Sequence, residues 1–345
     1  MLEHSQSETL TFPRRIARRQ IPTAREVVVS VNPRAGRQSS QRLVPEIDRE
    51  LRLAGYEVHV TVDLDDLASV SGQLQRAGKL RAVVAIGGDG TAAVVRNRVP
   101  IEIPMVPFPM GTENLLGRYV GQVATAGALR ETLDDGVVVG LDLGRANGRF
   151  FLLMISAGFD ADVIRRLHEN RQGNITRASY IWPTLAAIRS YGHPELQLYC
   201  DDSGETSGQP VSCRWLFGFN LPLYAVELKI APDAVGTDGL LDVCTFQRSS
   251  AADVIRYWWH VVRQGHLALA DASLNRCRRF RLQAEGEANV AFQIDGDFGG
   301  TLPVDVEVLP GELRLLVPRE TARRLGFDLD DEIEITQPIS NPIIG

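Results

Sequence analysis

The first half of the chain alternates short apolar runs with segments of helical periodicity. The β-branched run Glu26–Val31 predicts a buried strand, and Leu43, Ile47 and Leu51 then recur every four residues on one helical face. Four strands are predicted in this half, at 26–31, 56–62, 82–86 and 103–108. Strand and helix in repetition indicate a parallel sheet that helices cover on both faces.

The second half, from about Val137, has short alternating runs that turn residues separate. Pairs such as Asn147-Gly148 and Asp238-Gly239 are typical of the turns in antiparallel sheets. Helical segments are predicted to interrupt these runs at 160–170, 178–191 and 251–264. The pattern therefore predicts an α/β N-terminal domain followed by a C-terminal β-sandwich domain.

We place the boundaries of these units where the pattern changes. They are a flexible basic arm at 1–24, the α/β domain at 25–138, the sandwich at 139–318 and a C-terminal tail at 319–345. The last strand of the sandwich is left free to return to the first domain.

Composition and charge argue against some classes of partner and membrane attachment. The 345 residues carry a net charge of −6, which argues against nucleic acid as the main partner. No stretch approaches the ~20 apolar residues of a membrane-spanning helix. The basic arm contains Arg14, Arg15, Arg18 and Arg19, which are either a solvated tail or a contact for anionic lipid headgroups.

A glycine-rich loop, Gly87–Thr91, follows the third predicted strand. Its three glycines allow backbone N–H groups to approach an anion, and the helix expected after it directs its positive end to the same place. Asp89 would repel a phosphate directly, so we expect it to lie in an exposed loop and to act through a cation such as Mg²⁺. The spacing matches neither GxxxxGK[ST] nor GxGxxG, and a tight strand–helix connection is the alternative interpretation.

Four further motifs accompany this loop in a fixed order along the chain: Asn32–Gly36, Pro109–Asn114, Thr237–Val243 and Ile294–Asp297. The ordered set resembles the diacylglycerol kinase catalytic family, which includes bacterial lipid kinases, sphingosine kinases and ceramide kinases. The resemblance runs from about Glu26 to Val317. It implies a nucleotide-binding domain similar to that of NAD kinases, a β-sandwich, and an active site in the cleft between them.

The resemblance also implies roles for individual residues. Asp295 is the implied general base with Asp297 as its acidic neighbour, while Asp238 and Asp142 are implied to support a structural Mg²⁺. ATP is the implied co-substrate. Contacts with the nucleotide are implied for Asn32, Gly36, Gly87, Gly88, Asp89, Gly90, Thr91, Gly111, Thr112 and Asn114.

Some residues depart from the family's pattern. An Asn-Glu pair is replaced by Ala93 and Val94, an aspartate by Leu115, and the last glutamate by Asp297. We predict an ATP-dependent lipid kinase that uses Mg²⁺, acts on a diacylglycerol or sphingoid-type acceptor at a membrane surface, and is cytoplasmic; a homodimer is left open. Because of these departures, two alternative functions stay open: a nucleotide-binding regulator with degenerate activity, and an NAD-kinase-like enzyme with a soluble acceptor.

Apolar side chains are expected to line a lipid entrance. The candidates are Phe159, Ile181, Trp182, Leu185 and the cluster Tyr257–Trp259. Packing in the core is the alternative use for most of them.

Overall fold

The structure, a computed structural model, describes residues 16–19, 23–32, 37–169, 194–201, 210–223, 228–286 and 288–334. The described strands form one sheet of twelve strands and a second of six. The strands are β1 (Ile16–Arg19), β2 (Glu26–Val31), β3 (Glu57–Thr61), β4 (Leu80–Gly87), β5 (Met105–Pro109), β6 (Val137–Ala146), β7 (Arg149–Phe151), β8 (Met154–Ala157), β9 (Leu196–Asp201), β10 (Val211–Cys213), β11 (Trp215–Phe219), β12 (Leu241–Phe246), β13 (Ala272–Cys277), β14 (Arg279–Ala284), β15 (Ala291–Ile294), β16 (Asp297–Thr301), β17 (Val304–Val317) and β18 (Asp328–Glu334). The helices are α1 (Arg37–Leu53), α2 (Leu64–Arg76), α3 (Asp89–Arg96), α4 (Leu115–Tyr119), α5 (Ala126–Asp135), α6 (Phe159–Glu169), α7 (Ala251–Val262) and α8 (Arg319–Arg324).

The N-terminal domain is built on the parallel strands β3, β2, β4 and β5, in that spatial order. Every residue of β4 is buried, as expected for a strand that helices cover on both faces. The register aligns Val31 with Ile86 and Gly87 with Pro109. The loops that follow β2, β4 and β5 therefore leave the sheet at one edge, where ligands bind in folds of this kind.

The C-terminal domain is a sandwich of two sheets. The six-stranded sheet, in the order β13-β12-β11-β8-β15-β16, packs on the part of the larger sheet that contains β9, β14 and β17. Phe280 and Phe292 lie in the core between them. The prediction of an α/β domain followed by a β-sandwich is confirmed.

The long strand β17 belongs to both domains. Its first residues pair with β14, for example Val306 with Phe280, and near its end Leu315 pairs in parallel with Met105 of β5. Antiparallel pairing with β6 runs along most of its length. The last sandwich strand thus does return to the first domain, and it joins the two into a continuous sheet.

Both ends of the chain contain more regular structure than the sequence pattern predicts. Residues 16–19, assigned to a flexible arm, form β1, which pairs in parallel with β18 and contacts β6. In the assigned tail, Ala322 of α8 is fully buried, and Thr321 Oγ1 donates to the Val120 carbonyl over 2.8 Å. The arm and tail segments form strands because each supplies the other with backbone partners, which local sequence does not reveal.

Candidate active site

The loops after β2, β4 and β5 meet at the carboxyl edge of the parallel sheet. Asn32 Nδ2 donates to Thr91 Oγ1 over 3.0 Å, which ties the end of β2 to the first turn of α3. The glycine-rich loop and the 111–114 turn touch through their backbones, since a Cβ added to Gly111 would lie 2.5 Å from the Gly88 Cα. Glycine is therefore required here for close backbone approach.

The amino end of α3 opens onto this edge. Gly88 is the N-cap residue and offers no side-chain cap, so the first amides of the helix are not satisfied by one. A Cβ on Gly87 would lie 2.2 Å from Thr91 Oγ1, so a side chain has no space there. Exposed amides and the positive end of a helix are suited to binding phosphate.

Asn114 stabilises its own turn. It has a left-handed backbone (φ 50°), which asparagine tolerates better than most residues. Its Oδ1 accepts from the Gly111 amide over 2.6 Å, and its Nδ2 donates to the Gly111 carbonyl over 2.8 Å. Thr112, between them, is exposed. The amide side chain thus shapes the turn, while Thr112 is the side chain that faces outward.

Asp89 does not lie in an exposed loop, which corrects the expectation from the sequence. It is the first residue of α3, and its two carboxylate oxygens accept from the amides of Leu115 and Leu116, each over 2.9 Å. Burial raises the pKa of Asp89. The side chain holds the amino end of α4 against the glycine-rich loop Gly87–Thr91, which we call the phosphate loop after its predicted role. The departure at Leu115 keeps this contact because only the backbone amide takes part.

Asp295 lies in a turn that directly follows a strand. Strand β15 ends at Ile294, and both Asp295 (φ 52°) and Gly296 (φ 84°) have positive φ, as in a type I′ hairpin. The carboxylate accepts three backbone hydrogen bonds from a distant segment. The donors are the amides of Leu152, Leu153 and Met154, over 2.7, 2.8 and 3.1 Å.

Residues of both domains affect the pKa of Asp295. Burial raises its pKa to about 6 against the effect of the three amides, and the nearby Asp89 carboxylate acts in the same direction as burial. Asp297, which begins β16, faces the phosphate loop: a Cβ on Gly90 would lie 3.9 Å from Asp297 Oδ2. The structure thus brings together Asp89, Gly90, Asp295 and Asp297 across the cleft.

A buried polar network lies behind the hairpin, and the sequence motifs do not include it. Gln293, 1% exposed, accepts from the Gly296 amide over 2.8 Å and donates to Ser156 Oγ over 2.9 Å. Ser156 donates in turn to Asp160 Oδ2 over 2.6 Å. The sequence signal for this network was the position of Gln293, an amide side chain between two apolar residues of a buried strand. This network holds the Asp295 turn in place.

A second bridge between the domains is made by Asn97, at the end of α3. Its Oδ1 accepts from the Phe150 amide and its Nδ2 donates to the Phe150 carbonyl, both over 2.9 Å. The helix that carries the phosphate loop is therefore fastened to β7 of the second domain.

The two aspartates implied to hold a structural Mg²⁺ have protein partners. Asp142 is 2% exposed, and it accepts from the amides of Gly239 (2.7 Å) and Gly311 (3.0 Å). Asp142 therefore stabilises the bulge in β17 between Leu309 and Leu313, and the turn that contains Asp238 and Gly239.

Asp238 forms a short ion pair with the Arg276 guanidinium. Arg276 Nε also lies 3.4 Å from Asp242 Oδ1. Burial raises the pKa of Asp242 to about 6, which Arg276 opposes. A guanidinium thus stands where the implied cation would neutralise these carboxylates, and the residues present do not fit a Mg²⁺ there.

Ligand spacing supports the same conclusion. Among the described residues, the one group of three or more His, Cys, Asp or Glu side chains close enough to share an ion is Glu26, Glu57 and His59. That group lies near the start of β2 and within β3, away from the phosphate loop, and it includes neither Asp142 nor Asp238.

Other candidates divide between the core and the surface. Phe159 and Tyr257 are buried, whereas Trp258 and Trp259 are about half exposed. Gly36 and the apolar candidates at 181, 182 and 185 lie outside the described residues. In the described part of the chain, no helix has the length and apolar character needed to cross a membrane.

Two family models match the chain and together cover most of it. The diacylglycerol kinase catalytic domain matches residues 26–146, and the YegS C-terminal NAD kinase beta sandwich-like domain matches residues 153–317. The chain belongs to the diacylglycerol kinase catalytic domain family, a family of lipid kinases, so the resemblance seen in the motifs is confirmed.

Individual relatives match between 69% and 86% of the chain at low sequence identity. A diacylglycerol kinase of Bacillus subtilis (strain 168) is 23% identical over 85% of this chain and 97% of its own. A diacylglycerol kinase of Mycobacterium tuberculosis is 29% identical over 69% and 77%. A solved diacylglycerol kinase from Bacillus anthracis superposes with a TM-score of 0.61 at 20% identity, covering 86% of this chain and 98% of its own, so the two share a fold.

Proposed function

We propose that this protein is an ATP-dependent lipid kinase that transfers the terminal phosphate of ATP to a lipid hydroxyl, with diacylglycerol as the first candidate acceptor and a sphingoid-type lipid as the second. The observation that carries the proposal is the meeting of the phosphate loop with the Asp295 hairpin in one cleft. The names of the relatives support the choice of a lipid acceptor.

The nucleotide is proposed to bind as MgATP at the amino end of α3. The glycine loop and the 111–114 turn supply backbone amides for its phosphates, and Asn32 keeps Thr91 in position. Asp297, opposite Gly90, is suited to orient the Mg²⁺ that arrives with the phosphates. This metal belongs to the substrate and needs no site at Asp142 or Asp238.

Asp295 is proposed to act as the general base. With a pKa of about 6 it is mostly ionised at neutral pH, and three amides fix its orientation. The acceptor oxygen attacks the γ-phosphorus, the bond from that phosphorus to the ADP oxygen breaks, and the hydroxyl proton passes to Asp295. The lipid is proposed to reach the cleft from the cytoplasmic side of a membrane surface.

A nucleotide-binding regulator with degenerate activity is the second candidate. The observation that favours it is the loss of the Asn-Glu pair at Ala93 and Val94, because Val94 is 38% exposed on α3 and an acidic side chain there would face solvent or a ligand. Ala93 is buried. The retained pair of Asp89 and Asp295 favours the kinase.

A transfer assay separates these functions. Purified protein is incubated with radiolabelled ATP and Mg²⁺ against diacylglycerol, sphingoid lipids and NAD, while ATP binding is measured in parallel. Labelled lipid that disappears in Asp295→Asn supports the kinase. Tight ATP binding without transfer to any acceptor supports the regulator, and labelled NADP supports a soluble acceptor.

A further inference from the structure

Helix α7 carries a stripe of exposed apolar side chains along its outward face. They follow the spacing i, i+3, i+4, i+7, which places them on one side of a helix. The members of this outward stripe are Ile255 (67% exposed), Trp258 (56%), Trp259 (50%) and Val262 (46%). Large contiguous apolar patches on a folded protein mark sites of interaction.

The helix is firmly attached through a different face. Tyr257 is buried, and its ring packs against those of Phe246 and Trp215 with centroid distances of 4.5 and 5.6 Å. Ser250 and Asp253 form a capping box at the amino end. The outward stripe is therefore a surplus apolar face on an ordered helix, with the inward face already used for packing.

The charge at the carboxyl end of the stripe is positive. Arg256, near the start of the stripe, is paired with Asp253 and Asp271. Arg263 follows the stripe, and residues 254–270 contain no Asp or Glu. The Arg263 guanidinium lies 4.2 Å from the centroid of the Trp259 ring, at the edge of the stripe. Paired tryptophans edged by a cation are suited to the interface of an anionic bilayer, where an amphipathic ring lies at headgroup level and basic residues meet lipid phosphates.

A second copy of the chain fits this face less well. A symmetric contact through the outward stripe would place the stripe of one molecule on that of the other, with the same Arg263 cations brought close together. Because Arg263 lies at the edge of the outward stripe and is repeated in each copy, self-contact adds like charge, and a surface of opposite charge is the better partner.

The stripe is connected to the active site through the second domain. Trp215, against which Tyr257 packs, also stacks on Phe159 at 5.4 Å, and Phe159 begins α6 directly after β8. The amide of Met154 in β8 binds Asp295. A protein docked through α7 would therefore present the domain that carries the proposed base to the membrane.

We propose that the outward stripe of α7 docks the protein on anionic membrane, with Trp258 and Trp259 in the headgroup layer. The purpose of this docking, delivery of a lipid acceptor, rests on the proposed function. The docking itself does not.

Vesicle flotation tests the docking surface. Wild-type protein is expected to float with phosphatidylcholine vesicles that contain a quarter phosphatidylglycerol. Trp258→Ser combined with Trp259→Ser should weaken this binding at least about tenfold, because two large apolar side chains no longer leave water. Arg263→Gln should weaken binding to the anionic vesicles and not to pure phosphatidylcholine.

Two controls keep the test specific. Leu53→Ser changes an apolar side chain that is 74% exposed on α1, and it should bind vesicles like wild type. The double variant should keep the wild-type melting temperature and the wild-type Kd for ATP, because both tryptophans are about half exposed and lie outside the nucleotide loops. Unchanged flotation of the double variant overturns the proposal, as does a loss confined to self-association in sedimentation. Vesicle binding by a protein that phosphorylates no lipid leaves the docking standing and removes the proposed function.

Discussion

At the scale of single residues, the Asp295 carboxylate has two tasks that one substitution can separate. It accepts three backbone amides and, as proposed, a proton from the acceptor. In Asp295→Asn, the new NH₂ group cannot accept the hydrogen bond from the Leu152 amide. Two N–H donors then face each other, and that hydrogen bond is lost. We expect turnover to fall by ~10²–10⁴ and the melting temperature to fall as well, with the Kd for ATP nearly unchanged.

Steady-state kinetics, ATP titration and thermal unfolding of the same preparation check this. Asp305→Asn is the matched control, because Asp305 is exposed and forms a surface ion pair with Arg281. If turnover survives while ATP affinity is lost, Asp295 is a nucleotide ligand and the base lies elsewhere.

The pKa of Asp295 predicts opposite pH effects on activity and stability. A base with a pKa of about 6 must be ionised, so kcat should fall below that pH and level off above it. Stability follows the other sign: the folded pKa is above the ~3.9 of an unfolded aspartate, so the contribution of this group is full below pH ~3.9 and is lost as pH rises through about 6.

A pH–rate profile and urea unfolding between pH 5 and 8 measure the two effects. The low-pH limb of kcat should be absent from the residual activity of Asp295→Asn. A profile that is flat in the wild type down to pH 5 would show that Asp295 does not act as the base.

From the contacts of Arg276 with Asp238 and Asp242, we predict that the folded protein needs no structural metal. The guanidinium neutralises Asp238 and Asp242, which are almost fully buried, so EDTA should leave the melting temperature unchanged. Arg276→Gln leaves these acceptors without a cation and should destabilise the fold by about 1–3 kcal/mol.

Arg281→Gln is the matched control for this arginine. Both side chains are 47% exposed, but the partner of Arg281 is the exposed Asp305, and such surface pairs are worth about 0–1 kcal/mol. Calorimetry with EDTA and with added Mg²⁺ compares the variants. A large fall in the melting temperature of the wild type in EDTA would show instead that the fold depends on a bound metal ion.

At the scale of elements, the phosphate loop and the 111–114 turn function as one surface because their backbones touch. Gly111→Ala places a Cβ 2.5 Å from the Gly88 Cα, so the two loops must separate. We expect the KM for ATP to rise at least about tenfold, since amides that no longer converge lose about one charge-assisted hydrogen bond of 1.5–3 kcal/mol.

Gly127→Ala in α5 is the control for the added methyl group. A Cβ at this position would have no atom within 4 Å, and alanine in a helix is favoured by ~1 kcal/mol, so this variant should be as active as wild type and slightly more stable. An unchanged KM in Gly111→Ala would mean that the turn does not contact the nucleotide.

At the scale of the whole molecule, β17 makes the two domains dependent on each other. It pairs with β14 of the sandwich and with β5 of the α/β domain, and Asn97 adds a bridge from α3 to β7. We expect one cooperative thermal transition with equal calorimetric and van't Hoff enthalpies. Two resolved transitions would show that the domains unfold separately.

Local sequence determined much of the architecture. Strand β2 has the predicted bounds of 26–31, and the glycine loop follows β4 as predicted, because periodicity of apolar residues and the freedom of glycine act within a few residues. The order of the motifs was sufficient to identify the family.

Tertiary structure decided which partner each polar group found. Asp295 binds amides more than 140 residues earlier, Asp238 meets Arg276 38 residues later, and β1 pairs with β18 from the other end of the chain. The same applies to α7, where Tyr257 faces the core and Trp258 and Trp259 face out. The sequence pattern of 251–264 predicts a helix but not which of its faces is buried, because that face depends on which distant strands the helix packs against.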